Sequence, residues 1–257
     1  MFCHKLGLLA AIWMAGWSMS PITAWGATDC PDTVVPPLAL PAVKAALAAN
    51  TEVTVVALGS SSTQGSRATD IAHSYPAVLQ AELSAALPNA HVAVLNRGVG
   101  GQDVAEMLPR LERDALNAQP TLVIWQVGAN GAIRRADPEV FRNLVESGVE
   151  RLRKAGIDVI LMDNQRAPAI TASPDHLRIA QALADIAART GAGLFGRGRL
   201  MDQWQQAGHP YGHFMSSDGL HHNDTGYRCV AKALAGAILQ GLGASSTGLV
   251  SASAGRR

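Results

Sequence analysis

Four short segments of this sequence hold the residue types needed for a nucleophile, its base and an anion-stabilising pocket. Ser60, Ser61 and Ser62 stand in a row after Gly59; glycines cluster at Gly98, Gly100 and Gly101; Asn130 stands between small residues; and Asp218 precedes His221 by three positions. A serine hydroxyl is a weak nucleophile and needs an adjacent base. A histidine that is neutral near pH 7 can accept that proton and return it to a leaving alkoxide. A carboxylate three residues earlier is close enough to hold one ring nitrogen and so select the tautomer. Glycine N–H groups and an asparagine amide are suitable donors to the oxyanion of a tetrahedral intermediate. Singly, each segment has a plainer explanation. A Gly/Ser turn after a strand is usually only a turn, and this one lacks both the Gly-Lys-Ser/Thr ending of a P-loop and the dinucleotide glycine spacing. Asn130 alone suits an ordinary turn, and His221 alone a structural role.

The surrounding pattern decides whether these segments meet. Apolar runs at 53–58, 92–95, 121–126 and 157–162, with a shorter one at 193–195, read as strands. Helical spacing occupies 42–49, 75–87, 104–116, 138–155, 174–189 and 225–242, with Pro109 expected to kink the third and Pro174 expected at a first helical position after Ser173. Apolar strands alternating with helices imply a parallel sheet covered on both faces. In such a sheet, ligands bind beyond the carboxyl ends of the strands, where the serine, glycine and asparagine segments fall.

The four blocks in this order resemble the SGNH, or GDSL-type, hydrolase family over roughly residues 53–242. The segments Val94-Leu95-Asn96-Arg97-Gly98-Val99-Gly100-Gly101 and Trp125-Gln126-Val127-Gly128-Ala129-Asn130 match especially well. The resemblance implies a three-layer α/β/α sandwich with a central, mainly parallel five-stranded sheet of flavodoxin-like type. It implies Ser61 as nucleophile, His221 and Asp218 as base and acid, and Ser61, Gly101 and Asn130 as the oxyanion hole. Ser60 and Ser62 are rivals to Ser61, and His222 is a rival to His221. Asp224 is a further acid, although Asn223-Asp224-Thr225 also reads as a helix cap. Two positions depart from the family pattern: Ser60 and Gly131 stand where aspartates are usual. The first change is expected to leave a neutral hydrogen-bonding partner, the second to loosen the Asn130 loop or open the pocket. Gln165 and Arg166, after the fourth strand, are candidates to touch a polar substrate, with a loop of no ligand role as the plain alternative. Residues 211–215 are candidates for an acyl-pocket wall or lid.

Composition excludes several functions. The 257 residues carry a formal net charge of +1, with 48% hydrophobic and 16% charged side chains. That leaves no electrostatic footprint for nucleic acid. The basic groups at 151–154 and 197–199 read as solvated surface. No metal-ligand spacing stands out, and neither a metal nor any other cofactor is expected. Residues 1–26 have the layout of a signal peptide, with Lys5 before a short apolar core and Ala24-Trp25-Gly26 at its end, so the mature chain is expected to start near Ala27 in the periplasm or outside the cell, with no stable membrane span. Residues 27–50 form a Pro/Ala-rich lead-in, 51–243 the hydrolase domain, and 244–257 a tail expected to be disordered. Removing the first segment leaves Cys30 and Cys229, an even pair that suggests one disulfide; a buried Cys229 beside a free Cys30 is the alternative. The expected partner is a small-molecule or glycan ester. Hydrolysis, acyl transfer on the same catalytic set, and silent carbohydrate binding remain the three readings.

Overall fold

A computed structural model describes residues 30–244; the segment read as a signal peptide and most of the C-terminal tail lie outside the described residues. Five strands, β1 (Val53–Gly59), β2 (Val92–Gly98), β3 (Leu122–Gln126), β4 (Asp158–Met162) and β5 (Gly193–Phe195), form one sheet in the order β2-β1-β3-β4-β5, and every pair is parallel. The helices in chain order are α1 (Pro41–Ala48), α2 (Ser61–Gln64), α3 (Tyr75–Ala86), α4 (Val104–Met107), α5 (Leu111–Asp114), α6 (Ala129–Ile133), α7 (Pro138–Lys154), α8 (Pro168–Thr171), α9 (His176–Thr190), α10 (Arg197–Gln206) and α11 (Asp224–Leu242). Right-handed crossovers send α3 to one face, because β2 lies to one side of β1, and α4, α7 and α9 to the other. The contacts agree: α3 packs on α11, and α7 packs on α9 and α4. The chain reverses direction across the sheet between β1 and β3, and the crevice at that switch point is where α2 and α6 begin.

β3 and β4 are buried at every position, as continuous apolar strands under two helical layers should be. β2, on the sheet edge, is only half-buried. Pro109 does break its helix: α4 ends at Met107, a 3₁₀ turn runs Leu108–Arg110, and α5 follows. Pro174 does not begin a helix. It stands in a turn, and α9 starts at His176 after Asp175, because a separate short helix, α8, takes up the chain before it. The helix α10, which the sequence reading leaves out, buries Arg197, Leu200, Met201 and Trp204. Arg197 is therefore a correction: it is wholly inaccessible, not solvated.

The lead-in is built into the domain. Leu38 and Leu40 are buried, Leu38 N–H donates to Ala237 O, and the N-terminal turn of α1 is held by Asp158, whose Oδ2 accepts from Val43 N–H at 3.0 Å. Cys30 is joined to Cys229 on α11, with Cα atoms 5.2 Å apart across 199 positions of sequence. Chain-entropy reasoning gives a closure of this length about 5 kcal/mol. Cys30→Ser is expected to lose most of that stability without unfolding the domain, since Leu38, Leu40 and Val43 still anchor the lead-in. Urea unfolding with and without reductant checks this; coincident curves for the wild-type protein would count against it.

Candidate active site

The carboxyl edge of the sheet assembles from the turn after β1 outward. β1 ends at Gly59, the chain turns at Ser60 (φ −100°, ψ −148°), and Ser61 is the first residue of α2. That turn leaves the Ser61 hydroxyl pointing out of the sheet edge, and its Oγ lies 2.8 Å from His221 Nε2. His221 Nδ1 lies 2.7 Å from Asp218 Oδ2. The other carboxylate oxygen accepts from Ser216 Oγ (2.6 Å), Leu220 N–H (2.9 Å) and His221 N–H (3.0 Å). Partial burial works against the Asp218 charge, but the hydrogen bonds from the His221 side chain and backbone, Ser216 and Leu220 outweigh it and hold the carboxyl well below the usual range. Asp218 is thus a fixed anion, and a His221 ring that donates through Nδ1 presents a lone pair at Nε2 to Ser61.

The rival residues have other partners. Ser60 donates through its backbone N–H and Oγ to Gln126 Oε1, at 2.9 and 3.0 Å, and Thr63 Oγ1 reaches the same oxygen at 3.2 Å. The neutral serine therefore keeps a hydrogen-bonding place at the end of β3. Ser62 is buried. His222 is wholly buried with Nδ1 3.0 Å from Phe214 O. Asp224 accepts from Thr69 N–H and Oγ1 and lies 3.1 Å from His73 Nδ1, while Asn223 Oδ1 caps α11 through Gly226 N–H.

Opposite Ser61, the loop after β2 carries Gly98 and Gly101. A Cβ on Gly98 would fall 2.1 Å from Gln64 N, so glycine is what lets α2 pack against the end of β2. Gly101 has φ +78° and no protein atom within 4 Å of an added Cβ, so its requirement is conformational. Among the described residues no backbone carbonyl holds the Ser61 or Gly101 N–H. α6 grips this loop at two successive carbonyls. Asn130 Nδ2 donates to Gln102 O at 2.8 Å, and Arg134, one turn later, donates through Nη2 to Gly101 O at 2.6 Å. The Asn130 amide retains a second N–H for a ligand. Arg134 is itself fixed by Asp103 and Glu106, at 3.1 and 2.9 Å. Gly131 is on the inner side of α6, where a Cβ would make ordinary contact with Phe141 and Ala136; it faces α7 rather than the Ser61 hydroxyl.

Gln165 and Arg166 are engaged with protein groups. Gln165 donates through Nε2 to Leu220 O at 2.9 Å, directly before His221, and its Oε1 accepts from buried Arg197 at 2.6 Å. Arg166 binds both oxygens of Asp202, at 2.8 and 2.6 Å. In the 211–215 segment, Tyr211 donates to Asp202 and Phe214 packs into the core 4.2 Å from the Trp204 ring. Sequence reasoning missed Arg110, a buried guanidinium that donates to Gly59 O (2.9 Å), Arg97 O (2.9 Å), Gln102 Oε1 (2.6 Å) and Asp114 (2.8 Å). It ties the ends of β1 and β2 to the loop that carries Gly101 and Gln102. Arg134 was missed likewise, and Arg197 was read as solvated surface; nothing in their local spacing marks them.

The fold and this constellation define a flavodoxin-like α/β domain with a serine, histidine and aspartate aligned at its carboxyl edge. Residues 27–244 match the model of the non-GDSL lipase-like family, and the chain belongs to that family. The family's description suits the turn after β1, where Ser60 stands in place of the aspartate of the G-D-S-L motif. No curated protein matches the sequence. Among solved structures, a two-domain esterase active on acetylated mannans is similar at 22% identity and TM-score 0.69, covering 82% of this chain; this chain spans 56% of that protein's length. A lipase/acylhydrolase from Enterococcus faecalis is similar at 20% identity and TM-score 0.60, over 71% of this chain and 93% of that one. An acetyl xylan esterase is similar at 21% identity and TM-score 0.61, over 71% and 98%. At these identities the likeness is one of fold.

Proposed function

We propose that this protein is an exported serine esterase that removes acyl groups, acetyl foremost, from a glycan ester through an acyl-enzyme intermediate. The observation that carries the reading is the unbroken hydrogen-bonded chain from Asp218 through His221 to Ser61. In the first step Ser61 Oγ attacks the ester carbonyl while His221 Nε2 takes the hydroxyl proton; the carbonyl oxygen becomes an oxyanion facing Ser61 N–H, Gly101 N–H and Asn130 Nδ2. Collapse breaks the ester C–O bond, and His221 returns the proton to the leaving alcohol. Water then repeats the sequence on the acyl-serine and releases the carboxylic acid. Asp218 keeps its charge throughout and stabilises the imidazolium.

The acetyl and glycan parts of the proposal draw on the similar esterases named above. Export draws on the layout of residues 1–26 and on the Cys30–Cys229 disulfide, which belongs to an oxidising compartment. No helix among the described residues is long and apolar enough to cross a membrane.

The test is a panel of esters varying acyl length and alcohol, assayed with fluorophosphonate labelling of the same preparation. Turnover with acetyl preferred and label on Ser61 is expected; glycan binding with neither would overturn the reading. Product analysis with a sugar acceptor added separates hydrolysis from acyl transfer. Asn130→Ala is expected to lower kcat by about 10²–10³ with little change in KM, because its second N–H acts on charge present only in the transition state. A KM effect alone would show ground-state binding instead.

A further inference from the structure

Arg67 stands at the mouth of the site without a place in the steps above. It has φ +70°, a left-handed conformation uncommon for a residue with a side chain, and its Nε donates to Asp218 Oδ2 at 2.9 Å. That oxygen also faces His221 Nδ1, and the other oxygen already has three donors. The carboxylate therefore has ample partners of its own, and the contact serves to anchor the guanidinium. The side chain remains 61% exposed. Guanidinium has five N–H donors in a rigid fork, and only the Nε–H is used here. Its Nη edge is thus held in place beside the catalytic histidine and left open to a ligand.

The neighbouring carboxylates have partners of their own: Asp103 and Glu106 share Arg134, Asp224 is held by Thr69 and His73, and Asp70 is exposed with one oxygen accepting from Ala72 N–H. Two further arginines are exposed there. Arg97 precedes Gly98, which packs on α2, and Arg135 follows Arg134, which holds Gly101 O. Among the described residues, Arg97 and Arg135 are exposed guanidinium groups with no carboxylate partner.

We infer that the ester is carried on an acidic sugar, whose carboxylate binds side-on to the Nη edge of Arg67, with Arg97 and Arg135 extending the positive rim. The inference rests on the proposed esterase activity and narrows it to O-acylated uronic-acid glycans. A planar carboxylate matches the guanidinium fork with two parallel hydrogen bonds, and such charge-assisted pairs are stronger than neutral ones.

The experiment uses matched substrates: an O-acetylated oligouronide and the same oligomer with its carboxyl groups reduced to alcohols. Wild-type protein is expected to favour the charged member in kcat/KM by about tenfold, a preference that narrows as salt is added. Arg67→Gln is expected to bring the ratio close to one. The ratio within each variant cancels any effect of the substitution on Asp218. Arg97→Gln and Arg135→Gln are each expected to lower the ratio by a smaller factor. Equal wild-type rates on the two oligomers, or a preference that survives Arg67→Gln, would overturn the inference. Failure to hydrolyse even 4-nitrophenyl acetate would instead sink the esterase reading. In that case calorimetric binding of the oligouronide decides separately: affinity lost in Arg67→Gln supports the carboxylate site, and no binding rejects it.

Discussion

Ser61→Ala is expected to reduce turnover of 4-nitrophenyl acetate by a factor on the order of 10⁶ and to leave the melting temperature nearly unchanged. The size follows from the site acting as a unit: removing the nucleophile of a triad costs about as much as removing the whole triad. The fold survives because the half-buried Ser61 side chain has one hydrogen bond, to His221 Nε2, and the α2 turn is built by Ser60, Thr63 and Gln126 instead. His221→Ala falls in the same range. Asp218→Asn loses about 10⁴ for a different reason. Three donors converge on Oδ1, so the amide oxygen must take that place, and its NH₂ then faces His221 Nδ1 and Arg67 Nε. The ring is forced to accept at Nδ1 and carry its hydrogen on Nε2, where it cannot take the serine proton; the Arg67 contact becomes donor against donor. Steady-state kinetics with thermal melts checks all three. A Ser61→Ala protein with wild-type turnover would remove the mechanism, and loss of turnover in Ser60→Ala or Ser62→Ala instead would move the nucleophile to that serine.

Much of this geometry could be read from residue types because it depends on order along the chain. The apolar runs of β1, β3 and β4 fix a parallel sheet, and a parallel sheet delivers Ser61, Gly101 and Asn130 to one edge whatever the loops do. The resemblance already selects Ser61 over its neighbours, and the strand-to-helix corner supplies the physical reason, sending Ser60 inward to Gln126 and Ser61 outward to His221. Residues that hold the site through long-range contacts left no local trace. Arg110 sits beside a proline in a broken helical pattern, and nothing there announces that it grips Gly59, 51 positions earlier. Arg197 was misread because cations near one another in sequence are usually solvated, whereas here Asp163 and Gln165 receive it inside the fold. The apolar spacing of Leu200, Met201 and Trp204 did mark α10, but the polar residues between them obscured it.

The buried polar groups behind Ser61, His221 and Asp218 make a second large effect, on stability against acid. His222 is wholly inaccessible, its Nδ1 meets Phe214 O, its Nε2 has no protein partner, and its ring lies edge-on to Tyr227. Burial, with the positive charge of Arg197 added, pushes its pKa down to about 3. In the unfolded chain a histidine titrates near 6.5. Above that pH the ring is neutral in both states and its contribution is complete. As pH falls from about 6.5 toward 3, the unfolded chain binds a proton that the folded one refuses, and stability drops by about 1.4 kcal/mol per unit. Asp163 works in the opposite direction. Burial raises its pKa to about 6, against the backbone hydrogen bond from Gly198 and the charges of Arg197 and Arg166, so its contribution is full below about 4 and lost as pH rises through 6. Between roughly pH 4 and 6 the two slopes offset each other, and the wild-type curve alone hides both. His222→Asn separates them, since an asparagine amide can still donate to Phe214 O from near the Nδ1 position. The stability difference between wild type and this variant, from urea unfolding at pH 7, 5.5 and 4.5, is expected to shift steadily toward the variant, by a few kcal/mol in all. A difference that stays constant across the three would mean that His222 gains its proton in the folded protein as readily as in the unfolded chain.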